Sequence, residues 1–564
     1  MDYLRSKKWK KELEKTEHFF DYSDNITNYY TTINCNNKQN ECYVSNSVWD
    51  DINYSTVIND ISKNNHVRNF ITKMLKHPTY DKSLLELRQQ SIVYFNKSTN
   101  LKPILNNKFS QKIEWFLDID PNTKNYVVDI LYPKSILFKW LYLDYRLINI
   151  YQIYRSYWNP LMQLIYPLSV IIMPYIYINN KLKINVSFKS YINTIYTTIK
   201  FFATSSKRYI DKVKNISGIL IYIGIYIYNI LQTIDLSNQL RKYRNILIEN
   251  INTITTKIND FQKIVESIEI DFWKPFIPNV NRDDITRKII INISNFNAYW
   301  KYPSNKDRLL DIYRVMGIYD CLCNISGYIN KDWNICKYNQ YNSTILGNMK
   351  HPELTNTVSN PIKLDKNLIV TGPNAAGKTT YVKSLLWNII LSQSFGIVRS
   401  SYANINLYDA IVHHDRIKDS IGDVSLFEAE MYKIKEVLNK CKLYKNVIYF
   451  LDEPLHSTPP VDGSAMLKSY LLYLANNYNI NMLLTTHYFS ISELELSYPD
   501  KFRNISMESS LVKGKFTFPY KIKKGNSTQS ISIELLKEKE FPKELISTAI
   551  KIKNKIYLDR INVY

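Results

Sequence analysis

Acidic residues and cysteines are the scarce components of this chain. Only 51 Asp and Glu stand against 73 Lys and Arg in 564 residues, a formal charge of +22. That balance argues against an acidic surface and favours an anionic partner, nucleic acid first and an anionic membrane surface second. Part of the lysine excess belongs to a general crowding with Asn, Ile, Lys and Tyr, as AT-rich coding produces. The six cysteines, at 35, 42, 321, 323, 336 and 441, form no C-x-x-C pair and have no His at zinc-finger spacing. A disulfide scaffold and a zinc finger are thereby excluded, which leaves ordinary packing in a reducing compartment. The opening "MDYLRSKKWKKELEKTEHFF" is charged throughout and lacks the apolar run of a signal peptide, so an intracellular location is expected. A hydrophobic content of 45% with 14% aromatics excludes a mostly disordered chain, and the length allows three or four domains.

The sharpest local pattern is "NLIVTGPNAAGKTTYVKSLLWNII". It fits G-x-x-x-x-G-K-[ST] with Gly372, Gly377, Lys378 and Thr379, after an apolar strand and before an apolar helical run. Glycines let consecutive backbone N–H groups of the loop curl around phosphate oxygens, and the helix N-terminus adds its positive dipole end. The spacing predicts that Gly372, Pro373, Asn374, Ala375, Ala376, Gly377, Lys378, Thr379 and Thr380 hold ATP. Lys378 reaches the β and γ phosphates, and the Thr379 hydroxyl ligates Mg2+.

About 75 residues later, "IYFLDEPLHSTPPVDG" runs apolar to Leu451 and ends in two adjacent carboxylates. A strand tip beside a phosphate loop suits them to two tasks: Asp452 holds the magnesium through its water shell, and Glu453 polarises the attacking water. Neighbours on a strand point to opposite sides, which separates the two roles. A third apolar strand, "INMLLTTH", ends in His487, placed to sense the γ phosphate.

The order "TGPNAAGKTT", "SLFEAEM", "LDEPLHSTPPVDG", "TTHYFSISELE" resembles the ATPase domain of the MutS family, mismatch-repair clamps of the ABC class. The family's GPN-x-x-GK-[ST] is present, and Ser425, Phe427, Glu430 and Met431 fit its S-x-F-x-x-E-M. Asp452, Glu453, Asp462 and Gly463, with Thr458 between them, fit its DE and DG. Thr486, His487, Tyr488, Glu493 and Leu494 fit its TH-[YF] and EL. The resemblance covers about 345 to 560, with "KHPEL" at its opening and a helix-turn-helix over 523 to 556 at its close. It implies a head-to-tail dimer, homotypic or with a MutS-like partner, in which Ser425 reaches across to the γ phosphate bound by the other subunit. Ser425 also reads as a helix N-cap, with Glu428 completing an S-x-x-E capping box. Tyr520 is a candidate adenine-stacking ring.

The sequence also departs from the family. Its G-R-G-T after the acids is here Leu455, His456, Ser457 and Thr458, and Pro454 stiffens the loop, so slow or differently coupled hydrolysis is expected. No LSGGQ signature occurs, which sets the chain apart from generic ABC ATPases.

Upstream, "MLKHPTYDKSLLELRQQSIVYF" and "LLDIYRVMGIYDCLCNISGY" resemble the start and end of the MutS helical core, with Pro78, Asp81, Arg88, Gln89 and Asp320 in the family's places. Fewer than 75 residues precede that core, so the mismatch-reading and connector domains are expected to be missing. Two apolar runs, 158–178 and 216–234, approach bilayer-spanning length. Spanning helices would place the basic 181–213 segment opposite the ATPase, against positive-inside retention. Buried core helices are therefore expected, with membrane association as the alternative. Residues 236–268 read as a long helix, a lever whose Lys and Arg either contact DNA phosphates or form a solvated face.

The fold expected is an α/β P-loop ATPase domain of ABC class at the C-terminus, preceded by a mostly α-helical core and lever. The expected boundaries are an N-terminal extension at 1–70, the core and lever at 71–344 with an apolar insert at 155–235, the ATPase domain at 345–525, and a dimerisation segment at 526–564. The expected function is binding and hydrolysis of ATP at composite dimer sites to drive a clamp-like motion on DNA, in repair or recombination; the alternatives are a membrane-associated ATPase anchored through 158–234 and a DNA clamp that does not hydrolyse ATP.

Overall fold

The computed structural model describes residues 40–98, 100–118, 131–133, 136–204, 209–289, 291–292, 294–296, 303–339, 343–414, 426–456, 458–512, 515–527, 536 and 539–561. Among these, the chain divides into two compact units, one of residues 106–269 and 282–313, the other of residues 40–105, 270–281 and 314–561.

The first unit is helical. Its main elements are α1 (Asn159–Asn180), α2 (Phe188–Thr204) and α3 (Tyr209–Ser267). With 59 residues, α3 is about 90 Å long. Its C-terminal half carries the expected periodicity: Leu247, Ile251, Ile254, Ile258, Phe261 and Val265 recur at spacings of three and four and are all buried. The Thr255 hydroxyl donates to Ile291 O (2.8 Å), and Phe116 and Tyr132 pack their rings on Phe296.

The other half of α3, and α1 with it, overturns an expectation. Residues 158–178 and 216–234 are not core helices: Leu168, Met173, Leu220 and Tyr222 are 53%, 64%, 63% and 74% exposed. The apolar window of α3 has no buried residue at all. Apolar composition states what a helix avoids, not what covers it, and among the described residues no second apolar layer lies on these faces. In the turn just ahead of α1, Ser156 O accepts from the Ser237 hydroxyl of α3 (2.6 Å), and the Tyr157 ring centre lies 4.1 Å from the Arg241 guanidinium.

Glu114 in this unit is buried against Tyr313, whose hydroxyl donates to it at 2.8 Å. Burial pushes the Glu114 carboxyl from 4.5 up to about 7. The folded state therefore holds a proton that the unfolded chain releases near 4.5, so stability is full below that pH and falls as pH rises towards 7. Glu114→Gln is expected to flatten this dependence and to raise stability at pH 8 by up to roughly 3 kcal/mol, read from urea unfolding at pH 5 and pH 8.

The second unit is built on a seven-stranded sheet: β1 (Tyr43–Val44), β2 (Asn367–Thr371), β3 (Ala410–His414), β4 (Val447–Asp452), β5 (Ile480–Thr485), β6 (Phe502–Met507) and β7 (Ile522–Lys524). The order is β1-β3-β4-β5-β2-β6-β7, parallel throughout except for the β6–β7 pair. The central strands are buried along nearly their whole length, which is why Leu368–Val370, Val447–Leu451 and Met482–Leu484 read as continuous apolar runs and not as an alternation. Helices α4 (Lys378–Phe395), α5 (Leu426–Leu443) and α6 (Pro460–Asn477) follow β2, β3 and β4 in the chain. On one face, Tyr449, Leu451, Met482 and Leu484 pack with Leu467, Leu471 and Leu474 of α6.

A smaller mixed sheet (Lys337–Asn339, Tyr402–Asn406, Thr344–Met349, Asn360–Leu364) completes the unit. Residues 40–105 also belong here, through the parallel pairing of β1 with β3 and through Lys82–Lys97. Asp81 caps that helix at Leu84 N (3.1 Å). Arg88 is fully buried and donates to Ser394 O (2.7 Å), while Gln89 Nε2 donates to Gly396 O (2.9 Å). The Arg-Gln pair thus satisfies carbonyls at the C-terminus of α4, where intrahelical donors run out. Asp320, buried, accepts from Ile104 N and Leu105 N, both at 2.8 Å.

Candidate functional site

The site lies at the C-terminal ends of β2, β4 and β5, where an open parallel sheet places its crevice. Between β2 and α4 the chain takes positive φ at Gly372 (150°), Ala375 (66°) and Gly377 (93°). Alternation of this kind turns successive N–H groups into one concavity. Gly377 caps α4, and a Cβ there would stand 3.1 Å from Cδ1 of Tyr520; the position therefore needs glycine for both conformation and space.

Lys378, 5% exposed, folds back over this loop. Its Nζ donates to Gly372 O (2.9 Å) and Pro373 O (3.2 Å) and stands 3.9 Å from Glu453 Oε1. Burial pushes its ammonium below the usual lysine range, while the Glu453 and Asp452 carboxylates push the other way.

The neighbouring strands bring the acids in. In register, Asp452 of β4 stands opposite Thr485 of β5, and Thr485 opposite Val370 of β2. The Thr379 hydroxyl donates to Asp452 (3.0 Å to Oδ2), and the Thr485 hydroxyl donates to Asp452 Oδ1 (2.5 Å). His487 Nε2 lies 2.5 Å from Glu453 Oε1. Simple strand alternation would send Asp452 and Glu453 to opposite sides, yet both carboxylates meet residues of the phosphate loop. The cause is local: β4 ends at Asp452, and Glu453 turns out of the strand at φ 49°, with its N–H donating to Thr485 O (3.2 Å).

A cleft of about 480 Å³ opens beside the loop, walled by Met349, His351, Asn356, Asn360, Met507 and Tyr520. That volume is ample for a small-molecule ligand. Asn360 fixes the Tyr520 wall by donating to Tyr520 O (2.8 Å) and accepting from Ile522 N (2.9 Å). Burial holds His351 below the usual histidine range, which favours its neutral ring.

Gly372 to Thr380, Asp452, Glu453, His487 and Tyr520 thus gather at one place. Ser425 lies outside the described residues, as does most of the first half of the expected C-terminal helix-turn-helix; its second helix is Lys543–Ile561. Of the other motif residues, Glu430 is buried, and its Oε1 stands 3.0 Å from His456 Nδ1. Leu455 takes φ 59° and is fully buried, with its carbonyl accepting from the Tyr488 hydroxyl (2.6 Å). Leu455 and His456, which stand where the family has the first half of G-R-G-T, are therefore held by the core.

Two contributors escape the sequence reading. Thr485, which orients Asp452, is signalled only by its place at a strand end ahead of Thr486 and His487. The 349–360 wall contains the "KHPEL" stretch, which the sequence reading takes as the opening of the domain and not as part of the site.

An oxygen pair made of a threonine hydroxyl and a carboxylate at 3.0 Å, beside a buried ammonium and a ring of backbone donors, suits a hard divalent cation bound together with phosphate oxygens. The donor set fits magnesium nucleotide, with Thr379 and Asp452 as the residues that would hold the metal.

Comparison with known proteins agrees with this geometry. The family described as MutS domain V matches residues 368–557. The chain is 27% identical over 291 residues to the DNA mismatch repair protein MutS of Clostridium botulinum (strain Okra / Type B1), covering 49% of this chain and 30% of that protein. It is 29% identical over 260 residues to the DNA mismatch repair protein MutS of Clostridium perfringens, covering 44% of this chain and 28% of that protein. The matched stretch thus spans less than a third of either relative's length. The phosphate loop, the acidic strand tip and the histidine are assembled at the C-terminal ends of neighbouring strands, and all of them fall within the stretch, residues 368–557, that matches MutS domain V.

Proposed function

We propose that this chain binds and hydrolyses ATP with magnesium and uses the cycle to drive a clamp-like motion on DNA, in repair or recombination inside the cell. The observation that carries the reading is the contact of Thr379 with Asp452 at 3.0 Å, beside Glu453 paired with His487 and 3.9 Å from Lys378. Magnesium, when bound, neutralises charge on the phosphate oxygens. Thr379 and Asp452 hold it, Lys378 holds the β and γ phosphates, and Tyr520 stacks on the base. Glu453 accepts a proton from the attacking water, and His487, in contact with that carboxylate, fixes its orientation. Ser425 acts from the partner subunit, which makes closure of the dimer dependent on an intact triphosphate. Lys242 and Lys263, exposed on the 236–268 lever, face DNA phosphates, whereas Arg241 and Arg244 of the same helix are held by Tyr157 and Asn149.

Turnover measured with and without duplex, mismatched, branched and single-stranded DNA, across a salt series, tests the reading. Stimulation that falls as salt rises supports a coupled clamp; turnover indifferent to every DNA at low salt overturns it.

The Thr485 hydroxyl orients the metal-holding carboxylate from behind. Thr485→Val is expected to weaken the apparent magnesium affinity about 10- to 100-fold with little change in turnover at saturating magnesium, measured as a magnesium titration of ATP hydrolysis.

A further inference from the structure

The arm formed by residues 159–234 has no place in the nucleotide cycle, and its surface is unlike the rest of the chain. Side chains that a soluble helix would bury are open on α1, α2 and the first half of α3: Met173, Tyr196, Phe201, Leu220, Tyr222 and Leu231 are each at least 60% exposed. Such a surface far exceeds the scattered apolar residues of ordinary protein exteriors. Its charge is equally one-sided. Residues 159–234 contain Lys181, Lys183, Lys189, Lys200, Lys207, Arg208, Lys212 and Lys214 against a single acid, Asp211. Lys181, Lys183, Lys189, Lys200 and Lys214 are exposed.

We infer that this arm docks on an anionic lipid bilayer. The two halves of the surface call for different chemistry, and a bilayer leaflet supplies both. Nucleic acid would meet the lysines but leave the Leu, Ile and Tyr faces in water. A second copy of the chain would cover the apolar faces but bring its own lysines against these. An anionic leaflet offers acyl chains to the side chains of α1 and α3 and headgroups to the lysines, and the many tyrosines suit the boundary between the two. The arm lies in one leaflet and does not cross it. Crossing by α1 and α3 would carry the lysines of 181–214 through the hydrocarbon, whereas α2, with Lys189 and Lys200 among apolar residues, fits a helix lying in the interface. At its base the arm is tied by the Ser237–Ser156 hydrogen bond and by Arg241 stacked on Tyr157.

Co-flotation of the full-length chain with vesicles tests this, using phosphatidylcholine with 30 mol% phosphatidylserine (roughly the composition that gives a strongly negative leaflet) and phosphatidylcholine alone. The expected result is flotation with the anionic vesicles, at least about tenfold weaker on neutral vesicles or when Lys181, Lys183 and Lys189 are changed together to Glu. The triple change Leu220→Asp, Tyr222→Asp, Leu231→Asp should abolish it, since charged side chains cannot enter the acyl region. Far-UV circular dichroism and thermal unfolding serve as controls that both variants remain folded. Two outcomes overturn the inference: flotation by the Asp variant equal to that of the natural sequence, or no flotation by the natural chain while its light-scattering mass falls from dimer to monomer in the Asp variant, which assigns the arm to self-association.

Discussion

Glu453→Gln is expected to cut ATP turnover about 10²- to 10⁴-fold while leaving magnesium-nucleotide binding in place. The side chain keeps its shape and its position at φ 49°, out of line with β4, but the amide cannot accept a proton. Its neighbours define what else changes. His487 Nε2 at 2.5 Å loses a carboxylate partner, and the Lys378 ammonium at 3.9 Å loses a counter-charge. Both leave more positive charge facing the phosphates, so nucleotide affinity should hold or rise. Single-turnover hydrolysis with an independent binding assay separates the two effects. Unchanged turnover with binding intact would remove Glu453 as the base and leave a clamp that binds nucleotide without hydrolysing it. His487→Ala should fall between the natural sequence and Glu453→Gln, because it removes the group that orients the base and not the base itself.

What could be read from the sequence follows from how local the physics is. The phosphate loop is legible because six or seven residues fix their own geometry: strand, positive-φ turn at Gly372 and Gly377, helix. The β4 and β5 strands are legible because strands buried on both faces are rich in consecutive apolar residues, as Val447–Leu451 and Met482–Leu484 are. That both acids face the loop was not legible, since it depends on a single residue leaving the strand at Glu453. Long-range contacts were equally hidden. Arg88 has no local feature that announces a bond to Ser394, 306 residues away, and Asn360 none that announces Tyr520. Residues 158–178 and 216–234 depart from the expectation of buried helices for another reason. Periodicity locates an apolar face, but burial depends on a neighbour, and no neighbour is encoded in the helix that lacks one.

Lys378→Met makes the second large prediction, and burial sets its sign on stability. The methionine keeps the unbranched stem in a site only 5% exposed, while removing an ammonium that burial disfavours. Without nucleotide, thermal unfolding should therefore come no earlier than in the natural chain. What is lost are charge-assisted hydrogen bonds to phosphate, each worth about 1.5–3 kcal/mol, so affinity for magnesium-ATP should drop about 10²-fold. The two effects are separable in one measurement. Ligand at 100 times the natural Kd stabilises the natural chain by about 2.7 kcal/mol and a variant binding 10²-fold more weakly by about 0.4 kcal/mol. A nearly flat nucleotide response in a variant at least as stable as its parent assigns Lys378 to the phosphates. An equal response in both would place the triphosphate elsewhere and dissolve the role given to Thr379 and Asp452 with it. Lys378→Arg should fare no better than Met, because a planar guanidinium cannot fold back onto the Gly372 and Pro373 carbonyls in the space the ammonium occupies.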